Sequence, residues 1–179
     1  MLVSLLNECK DQWIKAKHNK KHPFRFFTLA TVALDGRPHL RTVVLRNFDS
    51  NTFQFTIYTD LRSRKVNELQ QDSRAQLLFY DSKRMLQIVV GVRLVESNTD
   101  SSIYNAIPEQ SKKDYAAKMS PGSQISSPEK VQYDFSDQGH FLQLVFKAET
   151  IEYLRLKRPN HLRALFRLNN NWEGSFLVP

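Results

Sequence analysis

The period of the apolar positions changes several times along the chain. Leu2, Leu5, Leu6, Cys9 and Trp13 recur at helical spacing with Lys and Asp on the other side, which predicts an amphipathic helix over 2–17. The period then drops toward two. Phe24 to Leu34 is rich in Phe, Thr and Val and predicts a strand, closed by a two-residue turn at Asp35-Gly36. Pro38 opens the return strand, where a missing N–H is tolerated, and that strand is expected to reach about Asn47. After a turn at Asp49-Ser50-Asn51, Phe53, Phe55 and Ile57 alternate with Thr52, Gln54 and Thr56, the pattern of a half-buried strand. A short helix follows from about Arg62 to Gln70, with Val66 and Leu69 inward. Ala75–Tyr80 and Arg84–Val95 predict another strand pair, joined at Asp81-Ser82-Lys83.

Residues 97–137 break the pattern. They are polar, carry Pro108, Pro121 and Pro128, and have room for two short helices near 101–106 and 109–119. Strands resume at Phe141–Leu156, so this stretch is an insertion or arm and not a linker. His161 to Leu168 alternates again, and Trp172–Val178 predicts a last strand after Asn169-Asn170-Asn171. About six to eight mostly antiparallel strands with few helices predict a mainly β fold, a Greek-key-like barrel, in a single domain over 1–179.

Composition narrows the function classes. Across 179 residues the apolar fraction of 41% supports a core, and 12 Phe with 6 Tyr favour strands. Cys9 is the only cysteine, which excludes an intrachain disulfide or a Cys-based metal site and fits a reducing cytoplasm. The first residues lack the basic flank and apolar length of a signal peptide, and no run reaches the ~18 apolar residues of a spanning helix. The net charge of +8 has two readings, a nucleic-acid surface or a solvated basic surface with a few cations around a phosphorylated ligand. No nucleic-acid fold signature accompanies the charge, so the second reading is preferred.

The candidate chemistry lies where the third strand meets the short helix, in Tyr58-Thr59-Asp60-Leu61-Arg62-Ser63-Arg64-Lys65. A helix start offers free N–H groups and a dipole that favours an anion. Ser63, Arg64 and Lys65 add a hydroxyl, a guanidinium fork and an ammonium there, at the helix end that cations do not favour. The alternative is an ordinary exposed helix start. Arg41 and Arg46 lie five apart on a strand and so point to opposite faces, which allows only one of them to meet the same phosphate directly. Gln87 opposes the face of Leu86, Ile88 and Val90, and its amide could read the edge of a flat ring or simply face solvent. His161 and Arg163 are expected to share a strand face, with His161 either a proton carrier or a surface group. No nucleophile elbow, metal-binding helix or glycine-rich phosphate loop is present.

Arg41-Thr42-Val43-Val44-Leu45-Arg46, then Tyr58 to Lys65, then Gln87, resemble the FMN-binding core of the pyridoxamine 5′-phosphate oxidases. Ile151-Glu152-Tyr153, His161-Leu162-Arg163 and Trp172–Pro179 are similar to that family's closing segment. The resemblance covers most of residues 24–179. It implies a split β-barrel that binds FMN at a homodimer interface. It further implies that Arg41, Arg64 and Lys65 hold the phosphate and ribityl chain, with Ser63 beside them and backbone contacts from Thr42, Val43 and Val44. Tyr58 and Thr59 would complete the first subunit's share, Gln87 would face the flavin ring, and Arg163 would reach it from the second subunit.

The departures fall on the substrate side. Arg46 stands where the family has Lys, Leu154 replaces a Trp, and Pro159 an Arg. Tyr104 matches the substrate-loop Tyr, but Pro108 takes the place of its Arg, and Gly122, between Ser120 and Ser123, the place of a Gln. Each lost charge-assisted bond to a substrate phosphate is worth about 1.5–3 kcal/mol. The expectation is therefore a divergent FMN-dependent oxidoreductase of unassigned substrate, with His161 and Arg46 as substrate-side candidates. A non-catalytic flavin- or haem-binding module is the alternative.

Overall fold

The computed structural model describes all 179 residues. Helix α1 (Leu2–His18) leads through a single 3-10 turn at Pro23–Arg25 into β1 (Phe26–Val32). Then come β2 (Pro38–Val44), β3 (Asn47–Asp49), β4 (Gln54–Asp60), α2 (Arg64–Gln71), β5 (Arg74–Asp81) and β6 (Leu86–Asn98). The arm carries α3 (Ser101–Asn105) and α4 (Glu109–Lys112) before β7 (Phe141–Arg155), β8 (Leu162–Arg167) and β9 (Gly174–Leu177). The predicted first strand thus starts two residues late, because His22 Nδ1 accepts from the Phe24 N–H and Pro23 opens a turn there. The first hairpin also differs from a two-residue turn. Ala33 N–H donates to the Arg37 carbonyl and Gly36 N–H to the Ala33 carbonyl, so Leu34-Asp35 form the turn and Gly36, at φ +83°, absorbs the left-handed step.

The nine strands form one antiparallel sheet, seven of them in the order β2-β1-β5-β6-β7-β4-β3, with β8 paired to β7 and β9 to β8. β3 continues the line of β2, so pairing of β3 with β4 curls the sheet back on itself. The barrel is split along β7. Its first half pairs with β4 (Phe141–Lys147) and its second half with β8 (Thr150–Arg155), while β6 runs along its other edge through two register shifts. This accounts for the length of β7 seen in the sequence pattern.

Alternation sorts the two sheet faces. Leu29, Phe55, Ile57, Leu77, Phe79, Ile88, Val90 and Ile151 fill the barrel, and α1 closes one end by inserting Trp13 against Phe48, Phe55 and Phe79. Burying each such side chain is worth about 1.5–3 kcal/mol. The outward face of β1, β2 and β5 is also apolar. Phe26, Leu40 and Tyr80 keep 59%, 65% and 48% of their surface exposed.

The arm has a small core of its own. Tyr104, Ile107 and Tyr115 pack on Phe141 and against Tyr58, on the outward side of β4. It is tied down by Arg62. That side chain pairs with Asp60 (2.7 Å) and donates to the carbonyls of Ala117 (2.7 Å), Lys118 (3.0 Å) and Met119 (3.3 Å). Charge-assisted bonds of this kind are worth about 1.5–3 kcal/mol each. Arg62→Ala is therefore expected to speed proteolytic cleavage within residues 99–140 about ten-fold or more while the barrel resists. Limited proteolysis with mass mapping checks this, and an unchanged cleavage rate contradicts it.

Candidate phosphate cradle at the barrel mouth

Strand β4 ends with Thr59 on its inward side, and the chain turns through Asp60 so that Ser63 becomes the N-cap of α2. The Asp60 carboxylate accepts from the Arg62 N–H and leaves the Ser63 hydroxyl free of any capping bond. Thr59 and Ser63 are both buried, with their hydroxyl oxygens 3.2 Å apart. Lys65 Nζ donates to both, at 2.9 Å to Thr59 and 3.0 Å to Ser63. Burial first, then the neighbouring Arg41 charge, pushes the Lys65 ammonium below its ordinary pKa, while Asp60 and Glu68 pull the other way. No carboxylate lies within ion-pair distance of Lys65. A half-buried ammonium served only by hydroxyls is short of an anion.

Arg41 stands beside this group on the inward face of β2, opposite Leu29. Its guanidinium donates to the Leu29 carbonyl (3.3 Å), to Thr31 Oγ1 (2.5 Å) and to Glu68 Oε2 (2.9 Å). Glu68 is itself buried, and its Oε1 lies 2.6 Å from His39 Nδ1. Burial pushes the Glu68 carboxyl up, but the bonds from Thr31 and His39 and the charge of Arg41 together hold it below the ordinary range. Thr31, His39 and Glu68 escaped the sequence reading. The one available signal was Glu68 itself, a carboxylate one position from Leu69 on a helix face that turns inward.

The predicted residues divide into groups. Arg41, Thr59, Ser63 and Lys65 converge, and Arg64 lies next to them, exposed and without an ion pair. Thr42 and Val44 point outward opposite Thr28 and Phe26, whereas Val43 packs inward on the core. Arg46 sits beyond the end of β2, its guanidinium 5.4 Å from the Tyr58 ring centroid and its Nε buried without a partner. Nearby, burial pushes the Tyr115 hydroxyl up to about 12, with Arg46 acting against the rise. Arg41 and Arg46 thus serve different surroundings, as their spacing predicted. Gln87 lies on the outward sheet face with Leu154 and Arg163 in register beside it. Arg163 is paired to Glu152 at 2.8 Å. His161 departs from expectation. It precedes β8 and does not share a strand face with Arg163, because its Nδ1 accepts the Lys157 N–H in the preceding turn.

Residues 7–94 match the model of the pyridoxamine 5′-phosphate oxidase FMN-binding domain. Residues 7–94 are thus an FMN-binding domain of the pyridoxamine 5′-phosphate oxidase-related type. The chain is 28% identical over 163 residues to pyridoxine/pyridoxamine 5′-phosphate oxidase 2 of Arabidopsis thaliana, covering 83% of this chain and 82% of that protein. A pyridoxine/pyridoxamine 5′-phosphate oxidase of Acinetobacter baumannii is 37% identical over 100 residues, but the match spans only 40% of its length. Among solved structures, a pyridoxamine 5′-phosphate oxidase-related FMN-binding protein of Nostoc punctiforme superposes with a TM-score of 0.77 at 21% identity, covering 96% of both chains. PhzG of Burkholderia lata, solved with tetrahydrophenazine-1-carboxylic acid, gives 0.75 at 18% identity over 97% of this chain and 91% of its own. The two superpositions show the split-barrel fold.

FMN is the cofactor of this family's domain. The cradle suits such a group. Two buried hydroxyls, an ammonium with no carboxylate partner and a guanidinium fixed from behind are the donors a phosphate dianion needs. No cluster of His, Cys, Asp and Glu suitable for a metal ion exists, and no helix is long and apolar enough to cross a membrane.

Proposed function

We propose that this chain is an FMN-dependent oxidoreductase acting as a homodimer on a small planar anion other than pyridoxine 5′-phosphate. The observation that carries the cofactor's place is Lys65, bonded to two hydroxyls and lacking a counter-charge. In this reading Arg41, Thr59, Ser63, Arg64 and Lys65 hold the FMN phosphate, and the backbone of Thr42, Val43 and Val44 lines the ribityl chain. Gln87 faces the ring, and Arg163 approaches it from the second copy. The outward apolar face with Phe26, Leu40 and Tyr80 supports a second copy as its cover. FMN, when bound, supplies a ring that accepts or passes on a hydride.

On the substrate side, Arg46 is the strongest candidate. Its Nε is buried and unpartnered, and Tyr58 and Tyr115 supply an aromatic wall and a hydroxyl held protonated at neutral pH. Such a group seats a carboxylate bidentately. His161, exposed and committed through Nδ1 to the Lys157 N–H, has only Nε2 to offer. Pro159 and Pro108 leave a phosphorylated substrate without the two arginines that would grip it.

The test has two arms. Protein purified with FMN is first checked by mass spectrometry of the released chromophore. The loaded dimer is then challenged with pyridoxine 5′-phosphate and with reduced aromatic carboxylates, following loss of visible flavin absorbance and peroxide release. Bleaching by carboxylates alone, with Arg46→Ala raising KM about ten-fold or more at unchanged FMN content, is the expected result. Efficient turnover of pyridoxine 5′-phosphate would reassign the substrate. A loaded dimer inert to both groups supports the non-catalytic alternative.

A further inference from the structure

His39 and Arg41 lie two residues apart on β2 and share its inward face, opposite Thr31 and Leu29 of β1. Glu68 of α2 faces them. One carboxylate oxygen accepts from Thr31 (2.5 Å) and Arg41 (2.9 Å), and the other is 2.6 Å from the His39 ring. Arg41 is thereby fixed from behind, with its Nε outside these bonds and available to a ligand. The arrangement also has an electrostatic consequence. With His39 neutral, Glu68 cancels the charge of Arg41, and only Lys65 and Arg64 face an incoming dianion without an opposing partner. With His39 protonated, Glu68 is neutralised by the ring, and the charge of Arg41 is returned to the cradle. The remaining charged group at the cradle is Asp60 of β4, which acts on Lys65, while Thr31 of β1 is uncharged. The His39 side chain is 38% exposed, whereas Glu68 is buried.

We propose that His39 is a positioning residue for the cofactor's phosphate, acting through Glu68 on Arg41, so that protonating His39 strengthens the hold on FMN. This rests on the assignment of Arg41 and Lys65 to that phosphate, and the experiment separates the two. Apo-protein is titrated with FMN and with riboflavin, which lacks the phosphate, across about pH 5.5–8.5, for wild type, His39→Gln and His39→Lys. Glutamine keeps a donor to Glu68 without the charge, and lysine keeps the charge at every pH tested.

The phosphate's own ionisation near pH ~6 affects all three proteins alike and cancels in their ratio. The wild-type to His39→Gln affinity ratio for FMN should rise about five-fold toward the acid end. His39→Lys should match acid wild type throughout, and riboflavin should show a flat ratio. A flat FMN ratio, or a riboflavin ratio that moves with it, overturns the role of His39. Riboflavin bound as tightly as FMN by wild type overturns the phosphate assignment itself. Should His39→Gln fail to fold, the comparison of wild type with His39→Lys carries the same decision.

Discussion

The double variant Arg64→Ala, Lys65→Ala is expected to purify colourless. Lys65 is the only ammonium bonded to the Thr59 and Ser63 hydroxyls, and Arg64 is a second cation beside them that, like Lys65, has no ion-pair partner. Each charge-assisted contact with a phosphate is worth about 1.5–3 kcal/mol, so losing both removes about 3–6 kcal/mol and weakens FMN binding about 10²–10⁴-fold. Folding should survive. Arg64 is exposed, and Lys65 is a burdened cation whose pKa is already pushed down by burial. Its removal leaves Thr59 and Ser63 bonded to each other. The measurement is the ratio of visible to protein absorbance after purification, with equilibrium dialysis against FMN and a thermal melt of the apo-protein. Unchanged melting with flavin lost is the expected pair. Stoichiometric flavin in the variant would place the phosphate elsewhere on the barrel.

The parts of this site that could be read from sequence were those fixed by local rules. Ser63, Arg64 and Lys65 stand at a helix start because alternation in Phe53–Ile57 ends and the inward pair Val66 and Leu69 begins. Arg41 and Arg46 part company as their spacing suggested, although Arg46 lies in the break after β2 and not on the strand. The unreadable parts are long-range. Glu68 meets Thr31 and His39 only because α2 folds back over the β1–β2 hairpin, and no local signal says which strand a helix will cover. Arg62, next in sequence to the candidate phosphate group, binds Asp60 and three carbonyls of the arm. Its neighbour two places back decided that, and the partner carbonyls lie more than fifty residues away. His161 failed for a related reason. The pattern placed it on a strand, but the turn that ends β7 needed a polar acceptor for the Lys157 N–H, and His161 supplies it. The first hairpin shows the same limit on a small scale. Asp35-Gly36 marked a turn correctly, while the turn type depended on which carbonyl Ala33 N–H would reach.

Leu40→Asp is expected to split the assembly and remove its flavin together. Leu40 is 65% exposed on the outward face of β2, within an apolar surface that includes Phe26 and Tyr80. On an isolated chain this substitution exchanges an exposed leucine for a soluble residue and costs almost nothing, within about 0.5 kcal/mol. Between two copies it buries a carboxylate in an apolar contact, and two-fold symmetry places the change on both sides. Burying an unpaired charge in that way costs several kcal/mol per site, on the order of what holds a modest dimer together. Arg163 and Gln87 lie on this same outward sheet face, three or more strands from β2 within one copy. In the proposed dimer, a cofactor whose phosphate sits against Arg41 of one copy has its ring contacted by Arg163 of the other. The variant should therefore sediment as a monomer with native circular dichroism and little bound FMN, and excess FMN should not restore the dimer. A dimer that persists with full flavin would move the interface off this face, and a monomer that retains stoichiometric FMN would show that one chain completes the site alone.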